Sequence, residues 1–75
     1  MSKKTIWITG ASSGIGRALA LKFASEGWEV AASSRRLALL KELSVLNDNI
    51  HPFELDVTNI EMCKDVFDQI LKKLK

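Results

Sequence analysis

An apolar run, Ile6-Trp7-Ile8, leads directly into Thr9-Gly10-Ala11-Ser12-Ser13-Gly14-Ile15-Gly16, and a helical pattern follows. A short strand that enters a glycine loop and then an amphipathic helix brings backbone N–H groups and a helix N-terminus up against a phosphate. Gly10 can take the sharp turn off the strand. Gly14 has no Cβ, so a pyrophosphate can approach the backbone, and Gly16 allows the new helix to pack closely. The spacing is G-x-x-x-G-x-G, with Thr9 before the first glycine. It differs from the general dinucleotide spacing G-x-G-x-x-G.

The rest of the chain repeats the strand–helix alternation twice. The first strand is expected at about residues 5–9. The first helix then runs from near Gly14 to residue 25 or 26, with Gly27 closing it; Ile15, Ala18, Leu19 and Phe23 fall on one face. A second strand over 28–33 leads to a helix that starts near Arg35 and turns Leu39, Leu40, Leu43 and Leu46 inward. That helix breaks at Asn47-Asp48-Asn49. The third strand, 50–55, contains Pro52, which cannot donate to a ladder and so belongs at a sheet edge. Thr58 with Glu61 reads as a capping box opening a third helix, along which Ile60, Cys63, Phe67, Ile70, Leu71 and Leu74 recur at helical spacing. Such alternation implies right-handed crossovers and a parallel sheet. The expected fold is α/β, the βαβαβα N-terminal half of a doubly wound Rossmann fold with strand order 3-2-1. The dinucleotide site of such folds lies where strand order reverses, beside a fourth strand. The sequence carries three strands, so residues 1–75 are expected to be an incomplete dinucleotide-binding part of a larger protein, or to pair with another chain across the open edge of the first strand.

Composition narrows the function classes. The chain has 75 residues, 47% of them hydrophobic and 27% charged, as in ordinary globular proteins. Its apolar runs fall far short of the roughly 20 residues of a membrane span. The run after Lys3 and Lys4 is also shorter than a signal-peptide core of about 7–15 residues. A formal charge of +2 gives no nucleic-acid footprint. The single cysteine, Cys63, has no internal disulfide partner and fits a reducing cytoplasm. It lies on the apolar face of the third helix and reads as packed. His51 is a lone histidine on an edge strand and reads as surface, and Arg17 reads as structural or surface. Lys72, Lys73 and Lys75 complement a helix C-terminus. No Cys/His cluster has metal-ligand spacing.

Cofactor chemistry is read at the end of the second strand. An acidic residue there takes ribose hydroxyls and favours NAD, whereas a basic one accommodates the 2′-phosphate of NADP. This chain has Ser33-Ser34-Arg35-Arg36 and no carboxylate. Arg35 can offer a bidentate fork to a phosphate, with Ser34 adding a hydroxyl. The competing reading is a pair of solvated arginines, although cations are disfavoured at a helix start. At the end of the third strand Asp56-Val57 sits where parallel sheets bind ligands; its competing reading is a turn or cap before the third helix.

The string Thr9 to Gly16, placed between a strand and a helix, resembles the short-chain dehydrogenase/reductase family, and the resemblance covers the whole chain. It implies an NADP(H)-dependent oxidoreductase that reduces carbonyls or oxidises alcohols by hydride transfer. It also implies cofactor contacts from Gly10, Ser12, Ser13, Gly14, Ile15 and Gly16, from Ser34, Arg35 and Arg36, and from Asp56 and Val57. NADP-preferring members often end the second strand in Arg or Arg-Arg, and the carboxylate matching Asp56 accepts from the adenine amino group. The chain departs from some relatives at Ser13, where they carry a second basic residue. The family's catalytic Tyr-x-x-x-Lys pattern has no counterpart, because the sequence contains no tyrosine. No catalytic residue is therefore assigned, and the expected partners are NADP(H), an unspecified small carbonyl or alcohol, and a second copy of the chain in a homo-oligomer. The alternative is a stand-alone nucleotide-binding or interaction module without catalysis.

Overall fold

The computed structural model describes residues 4–74. Strands and helices alternate as β1 (Thr5–Thr9), α1 (Gly14–Ser25), β2 (Glu29–Ser34), α2 (Leu37–Leu46), β3 (Ile50–Glu54) and α3 (Ile60–Leu74). The three strands form one parallel sheet with β2 between β1 and β3. Thr5 to Thr9 pair with Glu29 to Ser33, and Val30 to Ser34 pair with Ile50 to Glu54. The central strand is buried on both faces, hence its unbroken run of small and apolar residues from Val30 to Ala32.

Successive β2 side chains point to opposite faces and create two cores. Val30 and Ala32 join Ile8, Ala20, Ala24, Leu40, Leu43 and Ile50 beneath α1 and α2. Ala31 joins Phe53, Leu55, Val66 and Ile70 beneath α3. Ser33 is fully buried, and its hydroxyl is satisfied on both counts. Its Oγ accepts from Trp7 Nε1 at 2.9 Å and donates to the Ile8 carbonyl at 3.5 Å.

Pro52 stands where the sheet tolerates it. Val30 donates to the Asn49 carbonyl and Leu55 donates to the Ser34 carbonyl. In a parallel ladder only alternate residues face a given neighbour, so Pro52 directs its missing N–H away from β2.

Several local expectations shift. β2 starts at Glu29 and runs through Ser34, and α2 starts at Leu37. Arg35 and Arg36 thus precede that helix. In α1 the helix sits down on Ala20 and Ala24, whose small side chains permit close approach to the sheet, while Ile15 (81% exposed), Ala18 and Leu19 face outward. Leu39 and Leu46 likewise lie outside, with Leu40 and Leu43 inside. In α3 the buried residues are Val66 and Ile70; Phe67 reaches only to a stacking contact with Trp7 at 6.2 Å, and Ile60 and Leu71 are exposed. The cap of α3 is Asn59, whose Oδ1 accepts from Met62 N at 3.0 Å, one residue later than the expected Thr58 box. Thr58 turns back to Asp56 instead. His51 is half-buried, not a free surface group: its Nε2 meets Glu29 Oε2 across the β2–β3 pair at 2.5 Å.

Candidate functional site

The C-terminal ends of all three strands meet at one end of the sheet. β1 leaves through Gly10 at φ +66°, and the following residue is tied down at once, because Ala11 N–H donates to the Ser33 carbonyl at 3.1 Å. The glycine loop is thereby laid across the end of β2. Ser13, extended at φ −159°, precedes α1 and makes no side-chain cap bond.

Gly14 and Gly16 differ in what they demand. Gly14 lies at φ +60° with nothing within 4 Å of where a Cβ would project, so its surface is open to an incoming group. Gly16 is crowded: a Cβ there would sit 2.2 Å from the Gly10 carbonyl oxygen. The close packing expected at Gly16 is therefore against the backbone of the loop itself. It holds the first turn of α1 close under Gly10.

A cleft of about 200 Å³ opens beside this loop, lined by Gly10, Ser12, Ser34, Arg35, Arg36, Leu55 and Val57. Six of the expected site residues converge there from three separate turns of the chain. Ser34 organises the β2–α2 turn, its Oγ accepting from Arg36 N at 3.0 Å while its own proton remains to be donated. Arg35 and Arg36 are exposed and line the cleft together with Ser34. Leu55 was not foreseen as part of this wall; it belongs because its N–H bonds to the Ser34 carbonyl at 2.9 Å and splices the end of β3 to β2.

The remaining expected residues border the cleft without lining it. Ser13, Gly14, Ile15 and Gly16 form the loop-to-helix junction, with the Ile15 side chain turned out to solvent. Asp56 is half-buried beside Val57, and its Oδ1 accepts from Thr58 N at 3.0 Å and Thr58 Oγ1 at 2.7 Å. The Thr58 hydroxyl bond, then its N–H bond, hold the Asp56 carboxyl below the usual aspartate range, and Arg35 adds a smaller pull in the same direction. Both readings of Asp56 meet here: one oxygen makes the turn, and the other has no hydrogen bond among the described residues. Arg17 does not line the cleft; with Leu39 and Glu42 it lines a second groove that shares only Ser12 with it.

The arrangement offers backbone N–H groups, two guanidinium groups and a hydroxyl to phosphate oxygens, with a carboxylate and an apolar wall nearby. A larger cavity of about 840 Å³ lies along the outer side of β3 and shares no residue with this cleft. Among the described residues no group of His, Cys, Asp and Glu is placed to hold a metal ion, and no helix is long and apolar enough to cross a membrane.

Comparison with known proteins agrees with this fold. A model of the short chain dehydrogenase family matches residues 4–75. The chain is 40% identical over 74 residues to the 3-oxoacyl-acyl-carrier-protein reductase FabG of Thermotoga maritima, covering 93% of this chain and 30% of the relative. It superposes on a short-chain dehydrogenase from Streptomyces avermitilis with a TM-score of 0.89 at 36% identity, covering 96% of this chain and 26% of that one. A short-chain dehydrogenase/reductase from Burkholderia phymatum, solved in complex with NAD, matches with a TM-score of 0.84 at 30% identity, covering 97% of this chain and 27% of that one. The chain therefore spans less than a third of the length of these relatives.

Proposed function

The chain belongs to the short-chain dehydrogenase family, and on that premise we propose that it forms the adenosine- and pyrophosphate-binding part of an NADP(H)-dependent oxidoreductase. The observation that carries this reading is the convergence of Gly10, Ser12, Ser34, Arg35, Arg36 and Val57 on one cleft. The loop backbone from Gly10 to Gly16, with the hydroxyls of Ser12 and Ser13, takes the pyrophosphate at the start of α1. The open surface over Gly14 supports this assignment, since a phosphate there meets no side chain. Arg35, with Arg36 and the Ser34 proton, takes the 2′-phosphate. Asp56 accepts from the adenine amino group through its free oxygen, and the Val57 backbone borders the ring.

The glycine loop with Ser34, Arg35, Arg36, Asp56 and Val57 would hold the adenosine end of the cofactor, whose nicotinamide would supply hydride-transfer chemistry to a carbonyl or from an alcohol. These 75 residues contribute the grip on the adenosine end. A cytoplasmic setting goes with the single cysteine.

Titration of the 75-residue chain with NADPH and with NADH tests the reading. A charge-assisted hydrogen bond of about 1.5–3 kcal/mol corresponds to about one to two powers of ten in affinity. NADPH is expected to bind tighter by that factor, and equal binding of the two cofactors refutes the assignment of Arg35.

A further inference from the structure

The turn that presents Asp56 and Val57 contains neither glycine nor proline, and Val57 is exposed. Neither a special backbone residue nor burial of Val57 sets its shape. Its hydrogen bonds do. Leu55 N–H donates to the Ser34 carbonyl, Asn59 N–H donates to the Asp56 carbonyl, and the Asp56 carboxylate accepts from the Thr58 N–H and hydroxyl. Of the turn's other backbone groups, the N–H of Asp56 and the carbonyl of Val57 are each met by sulfur. Asp56 N–H donates to Met62 Sδ at 3.4 Å. The Cys63 thiol reaches the Val57 carbonyl at 3.8 Å.

Both sulfurs come from the first turn of α3, and both side chains pack against the core cluster of Phe53, Leu55, Val66 and Ile70. Their positions are thus fixed by the core, while their polar reach is spent on the turn. Neither is needed to start the helix, which Asn59 caps. Adjacent helical residues diverge by about 100°, so Met62 and Cys63 approach the turn from two directions and bracket the Asp56-Val57 unit at its two ends.

We propose that Met62 and Cys63 are positioning residues for the adenine site, setting the orientation of Asp56 and Val57 through paired sulfur hydrogen bonds. The inference rests on the adenine reading of Asp56 and Val57 given above. Sulfur is a weak, long-range partner for N–H and C=O groups, so each of these bonds adds little to the stability of the fold while completing the set that orients the turn. Its adjustment is then specific: loss of either sulfur swings the free carboxylate oxygen and the Val57 backbone away from the ring without touching the phosphate contacts of the glycine loop and Arg35.

The test compares adenosine 2′,5′-bisphosphate with its inosine counterpart, which keeps both phosphates and lacks the 6-amino group. Met62→Leu nearly conserves volume while removing the acceptor; Cys63→Ala removes the donor, and Cys63→Ser restores one. Weak hydrogen bonds of this kind correspond to about a two- to fivefold change in affinity. The adenine-over-hypoxanthine preference is expected to fall by that factor in Met62→Leu and in Cys63→Ala, and to recover in Cys63→Ser. Hydrogen exchange at the Asp56 amide is expected to accelerate in Met62→Leu alone, with the melting temperature little changed. A preference that stays at the wild-type value in both folded variants overturns the proposal. So does a uniform weakening of both nucleotides, which a merely structural role produces. Failure of the wild-type chain to distinguish the two nucleotides removes the adenine reading and the inference with it, whereas slow Asp56 exchange with normal discrimination in all variants removes the inference alone.

Discussion

Replacing Gly16 with alanine sets two effects of opposite sign against each other. Gly16 lies within the first turn of α1, and its φ is not positive. On helix propensity alone, alanine gains about 1 kcal/mol over glycine. The surroundings reverse that sign. The new Cβ would lie 2.2 Å from the Gly10 carbonyl oxygen, 2.8 Å from its carbonyl carbon and 3.1 Å from Ala11 Cα. All three are backbone atoms, so no flexible side chain can give way. Real Cβ atoms essentially never approach closer than 3.0 Å, so the glycine loop and the start of α1 must part by most of an ångström. The Ala11–Ser33 bond that lays the loop across β2 resists this movement. Overpacking typically costs about 1–3 kcal/mol, and a clash with backbone belongs at the upper end of that range. The net expectation is a loss of about 1–2 kcal/mol, after the propensity gain is subtracted. For a domain of this size each kcal/mol shifts the melting temperature by about 4–8 °C. Circular dichroism melting of wild type and Gly16→Ala reads the stability, and NADPH titration reads the loop, since the N–H groups proposed to take the pyrophosphate move with it. A rise in melting temperature with unchanged NADPH affinity refutes the account of why this position is glycine.

Other expectations follow from the same geometry. Arg35→Asp removes a cation from the cleft and adds a carboxylate, and is expected to invert the preference between NADPH and NADH; competitive titration of the two reads the ratio. Ser33→Ala leaves the Trp7 indole N–H without its acceptor in a half-buried position and is expected to cost about 1–3 kcal/mol in chemical denaturation. Because its Thr58 bonds lower the Asp56 pKa in the folded chain, the stabilisation they give is present above the unfolded pKa and is lost as pH falls through the folded one. Thr58→Val removes the hydroxyl bond, so the Asp56 carboxyl is expected to titrate at higher pH, as followed by its side-chain NMR signal.

What the sequence determined by itself is local. The order of strands and helices follows from apolar runs punctuated by glycine and polar turns, because each element's hydrogen bonds and periodicity lie within or beside it. The glycine string marked the tight strand-to-helix loop for the same reason: the three glycines act within seven consecutive residues. Pro52 marked an edge strand, since a missing N–H excludes a central place whatever the partners are. Arg35 and Asp56 were legible as candidates because strand ends can be counted from the chain. Tertiary structure decided which face of each helix is inside. Ile15 and Leu19 looked like core residues by spacing, yet α1 rests on Ala20 and Ala24, because the depth of contact with the sheet depends on a neighbour the helix cannot encode alone. His51 acquired Glu29 only through the register of β2 on β3, and Ser33 acquired Trp7 from the adjacent strand. The role of Gly16 depends on where Gly10 returns in space, a distance of 2.2 Å that no spacing rule contains. The grip of Met62 and Cys63 on the Asp56 turn is of the same kind, because a sulfur hydrogen bond leaves no pattern in the residues that make it.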